Sequence, residues 1–434
     1  MKTIGRFCLK VTTLLCVLHF LTLPANKVFA SGNMLPPENG SIGNFIEYKG
    51  IVVDKKTGNV LAFASMNVVG TNISIVANSE GQFSVKLSKE ISNPIVTISF
   101  IGYKNKQVAL NNLKPEKPRI ELDPSAVQLP ELSVISKDAA ELVRAVLEKK
   151  GKNYFDSPML MTAFYRETIR KNKTYASLSE AVVEINKQPY TSFKTDVVRL
   201  FKSRKKTDCA RLDTLTFKLM GGPFNSLYLD VMKYPDVLFT DDMMNNYEFT
   251  FDKSTYVDRQ IIYVVDFKQL PGKTEPLYYG KLYIDAQSLA LKSATFNLNL
   301  TDKEEASKMF IMKKPLNAKV YPVEAKYRID YREKEGRWYY GYSRIELGLK
   351  IIWKKKLFNT TYNSTVEMAV TDWGKAAEKK SNDFKDRLKP SVIIVDEASG
   401  FSDPKFWGEF NVIEPEKSIE TAIKKIQKQL EKTK

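Results

Sequence analysis

The chain has 434 residues, 43% hydrophobic and 27% charged, which is typical of an ordered globular protein with roughly two to three domains. Lys and Arg number 67 against 50 Asp and Glu, so the formal net charge is +17, and His19 is the only histidine. This composition excludes a disordered or collagen-like chain.

The first 30 residues are typical of a secretory signal peptide. A basic start, Met1–Lys10, precedes a mostly apolar run, Val11–Leu23, and Ala30 fits the small residue before a cleavage site. We expect cleavage after Ala30 and export to the periplasm or the outer-membrane periphery, with a retained anchor as the alternative. Removal of residues 1–30 leaves 63 basic and 50 acidic residues, a net charge of +13, and takes away His19.

The loss of histidine excludes several classes of enzyme. Ser-His-Asp and Cys-His hydrolases and HExxH metalloproteases need histidine as a general base or as a zinc ligand. The sequence contains no nucleotide-binding glycine motif, no CxxC pair and no calcium loop. It therefore predicts no catalytic residue, no cofactor and no metal ion, and it leaves a carboxylate-dependent hydrolase as the remaining enzymatic alternative.

A flexible leader, residues 31–43, is followed by a change in pattern. Residues 44–123 contain short β-type runs separated by turn residues, at a spacing of about 10 residues that predicts a small β-sandwich. Gly58 and Gly81 lie in turns that need a positive φ. A cluster of prolines makes residues 124–137 a stiff linker.

Seven motifs stand in order through this region: Gly50–Asp54, Thr57–Gly58, Leu61 with Ala64–Val68, Gly70–Thr71, Ser79–Phe83, Ile98–Tyr103 and Leu129–Val134. Together they resemble the carboxypeptidase-regulatory-like domain, a transthyretin-like sandwich, and the last motif is similar to the segment that closes this module in exported Bacteroidetes proteins. Asn78 stands where that family usually has Asp. The resemblance implies a structural module that contributes no catalytic residue.

Residues 138–434 predict a larger, mainly antiparallel β domain. Apolar residues at helical spacing predict a first helix over residues 139–150, closed by Gly151. Short turns separate nine β-type runs, which favours antiparallel pairing. The runs are residues 175–185, 192–201, 247–251, 260–267, 277–285, 289–300, 321–331, 338–349 and 362–371.

One hairpin in this region, residues 279–291, is similar to the hairpins of lipoprotein-carrier open barrels. That likeness implies a curved sheet or an open barrel that holds an apolar groove. Residues 162–168 and 406–415 are similar to segments of the larger second domain in the Bacteroidetes family named above. No activity of that second domain is carried over.

A terminal helix is predicted over residues 416–431, with an apolar stripe that includes Ile419. We expect this stripe to dock onto the rest of the protein. The alternative is contact with an anionic bilayer through Lys424, Lys425 and Lys428 on the opposite side.

Arg166 and Glu167 are the first candidate site residues. They are adjacent on a predicted strand and point to opposite faces, so they cannot pair with each other. Glu180 or Glu184 of the next strand can meet Arg166 if the register of the hairpin allows it. A structural ion pair is favoured here over a ligand site.

Two further groups complete the candidates. Asp241 and Asp242 are suited to capping the Met243–Met244 segment and, less so, to binding a cation. Cys209 follows a lysine-rich stretch, which is the setting of a reactive thiol, but a lone thiol without histidine favours a passive role.

The sequence thus predicts an exported, non-catalytic binding or scaffold protein that holds an apolar or lipid-like ligand or contacts an envelope protein. In an exported protein, the positive charge favours an anionic membrane surface or a polyanionic glycan over nucleic acid. A structural or adhesive surface module and the carboxylate-dependent hydrolase are the alternatives.

Overall fold

The computed structural model describes residues 44–113, 118–125, 138–172, 174–207, 220–258, 260–273, 275–310, 318–354, 359–375, 387–400, 406–421 and 423. The predicted signal peptide, the leader, residues 126–137 of the linker, Cys209 and residues 424–431 of the terminal helix lie outside this part. Within it the chain is mainly β, as predicted.

The N-terminal region forms two small sheets. Its strands are β1 (Phe45–Asp54), β2 (Ser65–Val68), β3 (Ser74–Val76), β4 (Gln82–Ser88), β5 (Ile95–Ser99), β6 (Lys106–Ala109) and β7 (Arg119–Leu122), with a 3-10 turn at Leu110–Asn112. The sheet orders are β4-β1-β7 and β3-β2-β5-β6. Alternate side chains such as Val52, Phe83 and Ile98 are buried in one shared core. The positive φ expected at Gly58 and Gly81 is confirmed, at 74° and 72°.

Two helices open the second domain, α1 (Ala139–Glu148) and α2 (Lys150–Asn153). Asp138 caps α1, since its carboxylate accepts a hydrogen bond from the Ala140 amide at 2.8 Å. The predicted helix over residues 139–150 ends early because the backbone leaves helical geometry at Lys149, with φ −80° and ψ 1°. Gly151, expected to close that helix, lies inside α2.

The second domain then continues as a long series of strands. These are β8 (Met159–Lys171), β9 (Thr174–Lys187), β10 (Val197–Thr207), β11 (Tyr247–Val257), β12 (Gln260–Gln269), β13 (Tyr278–Asp285), β14 (Leu291–Leu298), β15 (Ala318–Lys334), β16 (Arg337–Trp353), β17 (Thr360–Lys375) and β18 (Ser399–Gly400). The short helices between them are α3 (Pro223–Tyr228), α4 (Asp241–Met244), α5 (Lys303–Phe310) and α6 (Ile394–Glu397), with a 3-10 turn at Pro235–Val237.

These strands form one open sheet with the order β11-β12-β13-β14-β15-β16-β17-β8-β9-β10-β18. Neighbouring strands pair antiparallel except β18, which runs parallel to β10. The hairpin expected over residues 279–291 is present as β13 and β14. The predicted fold class, a sandwich followed by a larger antiparallel sheet, is therefore confirmed.

Both faces of the large sheet are covered in its middle strands. On β8, Ala163 and Tyr165 point to the first face, where α1 and residues 223–246 build the main apolar core. Phe164 and Arg166 point to the second face, which carries the sandwich and the C-terminal strap, residues 406–421 and 423. This alternation follows from the two-residue period of a strand.

The strap crosses the sandwich and the large sheet together. Its Trp407 ring lies 5.5 Å from the ring of Phe164 on β8. On the sandwich, the Asn78 amide donates to the Glu414 carbonyl at 3.1 Å, a bond that an aspartate at this position could not donate. Ile419 is buried against Leu178, so the predicted docking of the terminal helix is confirmed for its described residues.

One predicted strand was placed too early. Residues 192–201 were expected to be extended, but residues 191–196 form a loop and β10 begins at Val197. Lys187 at the end of β9 pairs with Asp196 at 2.7 Å, and this buried ion pair closes the loop. Phe193, the apolar residue that favoured a strand, is exposed on the loop.

Candidate binding site

A polar cleft of about 590 Å³ lies between the sandwich and the second face of the large sheet. Its sandwich wall presents hydroxyl and amide side chains from β2 and β5, namely Ser65, Asn67, Thr97 and Ser99. The opposite wall comes from β14 to β16 and includes Lys292, Ser293, Arg328, Asp330, Trp338 and Tyr342. A cleft of this volume is in the range of small-molecule sites.

Arg332 of β15 holds the two walls together. Its guanidinium donates to Ser65 Oγ at 3.2 Å, to the Ile75 carbonyl at 3.2 Å and to Ser74 Oγ, all on the sandwich. A Cβ at Gly341 would lie 2.8 Å from Arg332 Cγ, so the side chain can take this path only beside a glycine. Burial lowers the pKa of Arg332. The hydrogen bonds that its guanidinium donates here go to hydroxyl and carbonyl oxygens.

Two carboxylates of the cleft are already engaged. Asp330 accepts from Ser293 Oγ at 2.6 Å and from Arg328 Nε at 2.7 Å. Asp285 accepts from the Ser288 amide at 2.8 Å and from its hydroxyl at 2.7 Å. Burial by itself lowers the pKa of Arg328, but the neighbouring Asp330 carboxylate outweighs burial and raises it. These groups fix the shape of the cleft.

Lys292 lies at a β-bulge beside the cleft. In the pairing of β13 with β14, Tyr283 is opposite Ser293 while Ile284 is opposite Leu291, so Lys292 is the extra residue. A bulge interrupts the regular alternation of a strand and redirects a side chain. Here the redirected side chain lines the cleft.

The Lys292 ammonium has no hydrogen-bond or ion-pair partner among the described residues. Its Nζ lies 5.1 Å from the centroid of the Trp338 ring. Burial lowers the pKa of Lys292, although Asp285, Asp330 and Glu333 act in the opposite direction. An unpaired, partly desolvated cation in a polar cleft is suited to hold an anionic group of a ligand.

The predicted contact between Arg166 and Glu180 is confirmed, but it lies under the strap and outside the cleft. Arg166 Nε is 2.8 Å from Glu180 Oε1, and Nη1 is 3.1 Å from Glu367 Oε1. Nη2 donates to the Ile413 carbonyl of the strap at 2.7 Å, and Arg204 pairs with Glu180 at 2.6 Å. Burial opposes the charge of Arg166, but the two carboxylates raise its pKa. The group is a buried structural network.

The other predicted site residues are separate from this network. Glu184 pairs with Arg199 at 3.2 Å. In α4, the Met243 amide donates to Thr240 Oγ1 at 3.3 Å, so Thr240 caps the segment that the aspartates were expected to cap. Asp242 is exposed, and the side chain of Asp241 lies outside the described part.

Glu167 is buried on the first face, away from the cleft. It accepts a hydrogen bond from the Tyr165 hydroxyl at 2.9 Å. Burial raises the pKa of Glu167 from 4.5 to about 7. The folded state therefore keeps a proton on this carboxyl that the unfolded chain loses near pH 4.5.

This shift predicts a loss of stability as pH rises. Between pH 4.5 and about 7 the native state binds more protons, so the free energy of unfolding falls by about 2–3 kcal/mol and then levels off. Glu167→Gln keeps the acceptor for Tyr165 and is expected to remove that fall. Urea denaturation across the pH range measures it, with Glu184→Gln as the control; an unchanged pH profile in Glu167→Gln would contradict the assignment.

A second buried cluster was not predicted from the sequence. Lys187 lies 2.7 Å from both Asp196 and Asp230, which accept further hydrogen bonds from the Tyr234 and Tyr331 hydroxyls at 3.0 and 2.9 Å. Burial opposes the charge of Lys187, but the two carboxylates raise its pKa. The sequence contains one clue to this cluster, the nine-residue separation of Lys187 and Asp196. Asp230 and Tyr331 come from distant segments, so no local pattern links them to Lys187.

Two further properties of the described residues concern metal ions and membranes. No group of three or more His, Cys, Asp or Glu side chains there is arranged to hold a metal ion. No helix in the same ranges has the length and apolarity needed to cross a membrane.

Comparison with solved structures finds distant likeness to several proteins. A DUF1329 family protein from Desulfovibrio piger shares 10% identity over 57% of this chain and 98% of its own, with a TM-score of 0.24. Lipovitellin shares 10% identity over 55% of this chain and 28% of its own, also with a TM-score of 0.24. A membrane-associated protein of unknown function from Bacteroides fragilis shares 12% identity over 75% of this chain and 97% of its own, with a TM-score of 0.15. At these TM-scores the likeness supports no statement about this chain.

Comparison of sequences is more specific. No curated protein matches the chain. A family model does match, and it covers the sandwich strands together with the motif at Leu129–Val134. Residues 48–134 match the CarboxypepD_reg-like domain, as the order of motifs predicted.

Proposed function

We propose that this protein is an exported, non-catalytic binding protein of the cell envelope that holds an acidic, hydroxyl-rich ligand, such as an acidic saccharide, in the cleft between its domains. The observation that carries the proposal is Lys292. A β-bulge directs this lysine toward a polar cleft in which the described residues leave its charge unpaired.

The two walls of the cleft suit different parts of such a ligand. Hydroxyl and amide groups from Ser65, Asn67, Thr97 and Ser99 can exchange hydrogen bonds with sugar hydroxyls, because each can donate or accept. Lys292 offers a charge-assisted hydrogen bond to a carboxylate, which is about twice as strong as a neutral one. The net positive charge of the chain favours the approach of an anion.

Binding without catalysis is supported by the state of the carboxyl groups. Three carboxylates among the described residues line the cleft, Asp285, Asp330 and Glu333, and each accepts hydrogen bonds that fix it in place. A carboxyl with a pKa near neutrality is the usual general acid of a carboxylate-dependent hydrolase. Glu167 has such a pKa, but it is buried on the opposite face of the sheet.

Export, placement in the periplasm or at the outer-membrane periphery, and kinship with Bacteroidetes proteins are part of the proposal. They are supported by the signal-peptide pattern of residues 1–30 and by the matched domain. An acidic glycan of the envelope is a ligand that a protein in this compartment would meet.

The apolar ligand expected from the sequence has a weaker case. The protein's own side chains fill the core on the first face of the sheet, including Tyr165, Phe296 and Leu347. A scaffold role is the second candidate, and the strap favours it because one segment fixes the sandwich to the large sheet through Asn78 and Arg166. An apolar ligand stays a prediction that saturable binding of an apolar dye would test.

Titration calorimetry with trigalacturonate, an acidic trisaccharide, tests the proposed ligand class, with maltotriose as the neutral comparison. We expect trigalacturonate to bind the full chain and maltotriose to bind more weakly. Lys292→Met keeps the volume of the side chain but removes its charge, so it is expected to weaken trigalacturonate binding by about tenfold or more. Binding of maltotriose is expected to change little.

The control is Lys268→Met, which removes an exposed lysine that pairs with Glu248 at 3.0 Å outside the cleft. This variant is expected to bind trigalacturonate as the parent does. If both lysine variants bind trigalacturonate equally weakly, the loss of net charge alone explains the effect. If Lys292→Met binds trigalacturonate as the parent does, the cleft is not the binding site.

A further inference from the structure

Phe193 is the most exposed of the large hydrophobic side chains in the described residues, with a relative exposure of 105%. It stands at the tip of the loop formed by residues 191–196. A single exposed apolar residue is common on a protein surface. Phe193 differs from such residues because its ring is fully exposed on a loop whose backbone is held in place.

The backbone of the loop is held at both ends by a buried ion pair and by further hydrogen bonds. Asp196 pairs with Lys187 at 2.7 Å and accepts from the Gln188 amide at 2.8 Å. From below, the Lys233 ammonium donates to the Pro189 carbonyl at 2.7 Å and to the Ser192 carbonyl. These bonds hold the backbone on either side of Phe193, so the ring is presented at little entropic cost on binding.

The surface around this loop is basic. Thr191 lies against α2, where a Cβ on Gly151 would be 3.3 Å from Thr191 Cγ2. Lys149, which lies between α1 and α2, and Lys150 and Lys152 of α2 contribute positive charge, and the loop itself contributes Lys194. Residues 149–153 and 190–195 contain no acidic side chain. The exposed Asp156 follows Phe155, whose carbonyl accepts from the Tyr190 amide at 3.1 Å, and its carboxylate lies 3.9 Å from Arg337.

We propose that the Phe193 loop and the lysines beside it dock this protein on an anionic lipid surface. The ring enters the boundary between headgroups and acyl chains, while Lys149, Lys152 and Lys194 contact the headgroups. One protruding ring surrounded by cations fits a lipid surface better than a protein partner, because a protein interface needs a larger buried patch with satisfied polar groups.

This placement has a consequence for the cleft. Lys149 and Lys152 line the cleft as well as flank the loop. Docking through Phe193 would therefore bring the mouth of the cleft close to the lipid headgroups. The variants that test the dock are independent of the ligand proposed above, since neither Phe193 nor Lys194 lines the cleft.

Flotation with phosphatidylcholine vesicles that contain phosphatidylglycerol tests the dock. We expect the full chain to bind these vesicles, to bind pure phosphatidylcholine vesicles weakly, and to be released as salt is raised. Phe193→Ser is expected to lower the partition coefficient by about tenfold, since the apolar contribution of the ring is lost. Lys194→Ser is expected to lower it by about fivefold, the effect of one lysine near an anionic surface.

The matched control is Phe201→Ser, which removes another exposed phenylalanine, 58% exposed, on β10. It is expected to bind vesicles as the parent does, and the thermal melt of each variant confirms that it is folded. Equal binding by Phe193→Ser and Phe201→Ser would overturn the dock. So would an absence of binding to anionic vesicles, or binding that is lost only when residues 424–434 are removed.

Discussion

Replacing Lys187 with methionine is expected to lower the free energy of unfolding by about 3–5 kcal/mol. Lys187 lies 2.7 Å from Asp196 and from Asp230, and all three side chains are buried. Without the lysine, the two buried carboxylates keep their hydrogen bonds from the tyrosine hydroxyls, but no cation of the described residues pairs with them. The cost comes from those uncompensated charges, because methionine fills a similar volume.

Urea denaturation measures this effect, and two comparisons separate its cause. Lys268→Met breaks the exposed pair with Glu248 and is expected to cost no more than about 1 kcal/mol. Adding Asp196→Asn and Asp230→Asn to Lys187→Met removes the buried charges and is expected to recover part of the loss. If the triple variant is no more stable than Lys187→Met, packing rather than charge sets the cost.

Replacing Arg166 with methionine is expected to cost about 3–4 kcal/mol. The variant loses the bonds to Glu180 and Glu367 and the bond to the Ile413 carbonyl of the strap. The effect is smaller than at Lys187 because Glu180 keeps Arg204 at 2.6 Å and Glu367 keeps Arg344 at 3.0 Å.

The control for Arg166 is Arg199→Met, which breaks the partly exposed pair with Glu184 on neighbouring strands. A loss below about 1 kcal/mol is expected there. Hydrogen exchange of the strap gives a second readout, since only Arg166→Met removes a bond to the strap. Equal stability of the two variants, with unchanged exchange in residues 406–421, would show that the buried network does not hold the strap.

The parts of this structure that depend on local pattern could be predicted from the sequence. The two-residue period of β9 placed Glu180 and Glu184 on one face of that strand, so Glu180 could meet Arg166 of β8 if the hairpin register allowed it, and the observed register sets these two opposite each other. The same reasoning left Glu184 as an equal partner, because the register of a hairpin is fixed by its turn. Only the observed register separates the two.

The cleft could not be predicted in this way. It depends on how the sandwich docks on the large sheet, which is decided by Arg332 and Ser65, residues 267 positions apart. The bulge at Lys292 has no residue signature of its own, because any side chain can be the extra residue of a bulge. The strand predicted around Phe193 was wrong, because a buried ion pair between Lys187 and Asp196 overrides the strand tendency of the segment.

The central claim is that Lys292 is the anion contact of the cleft, and its own NMR signal tests this most directly. Reductive methylation with ¹³C-formaldehyde labels each lysine and preserves its charge, and Lys292→Arg identifies the signal. We predict that the Lys292 signal titrates below the ordinary lysine pKa of 10.5, because burial disfavours the charge, and shifts as trigalacturonate is added, while the Lys268 signal stays in place. A Lys292 signal that does not move as trigalacturonate is added, or that moves no more than the signal of Lys268, would contradict the account.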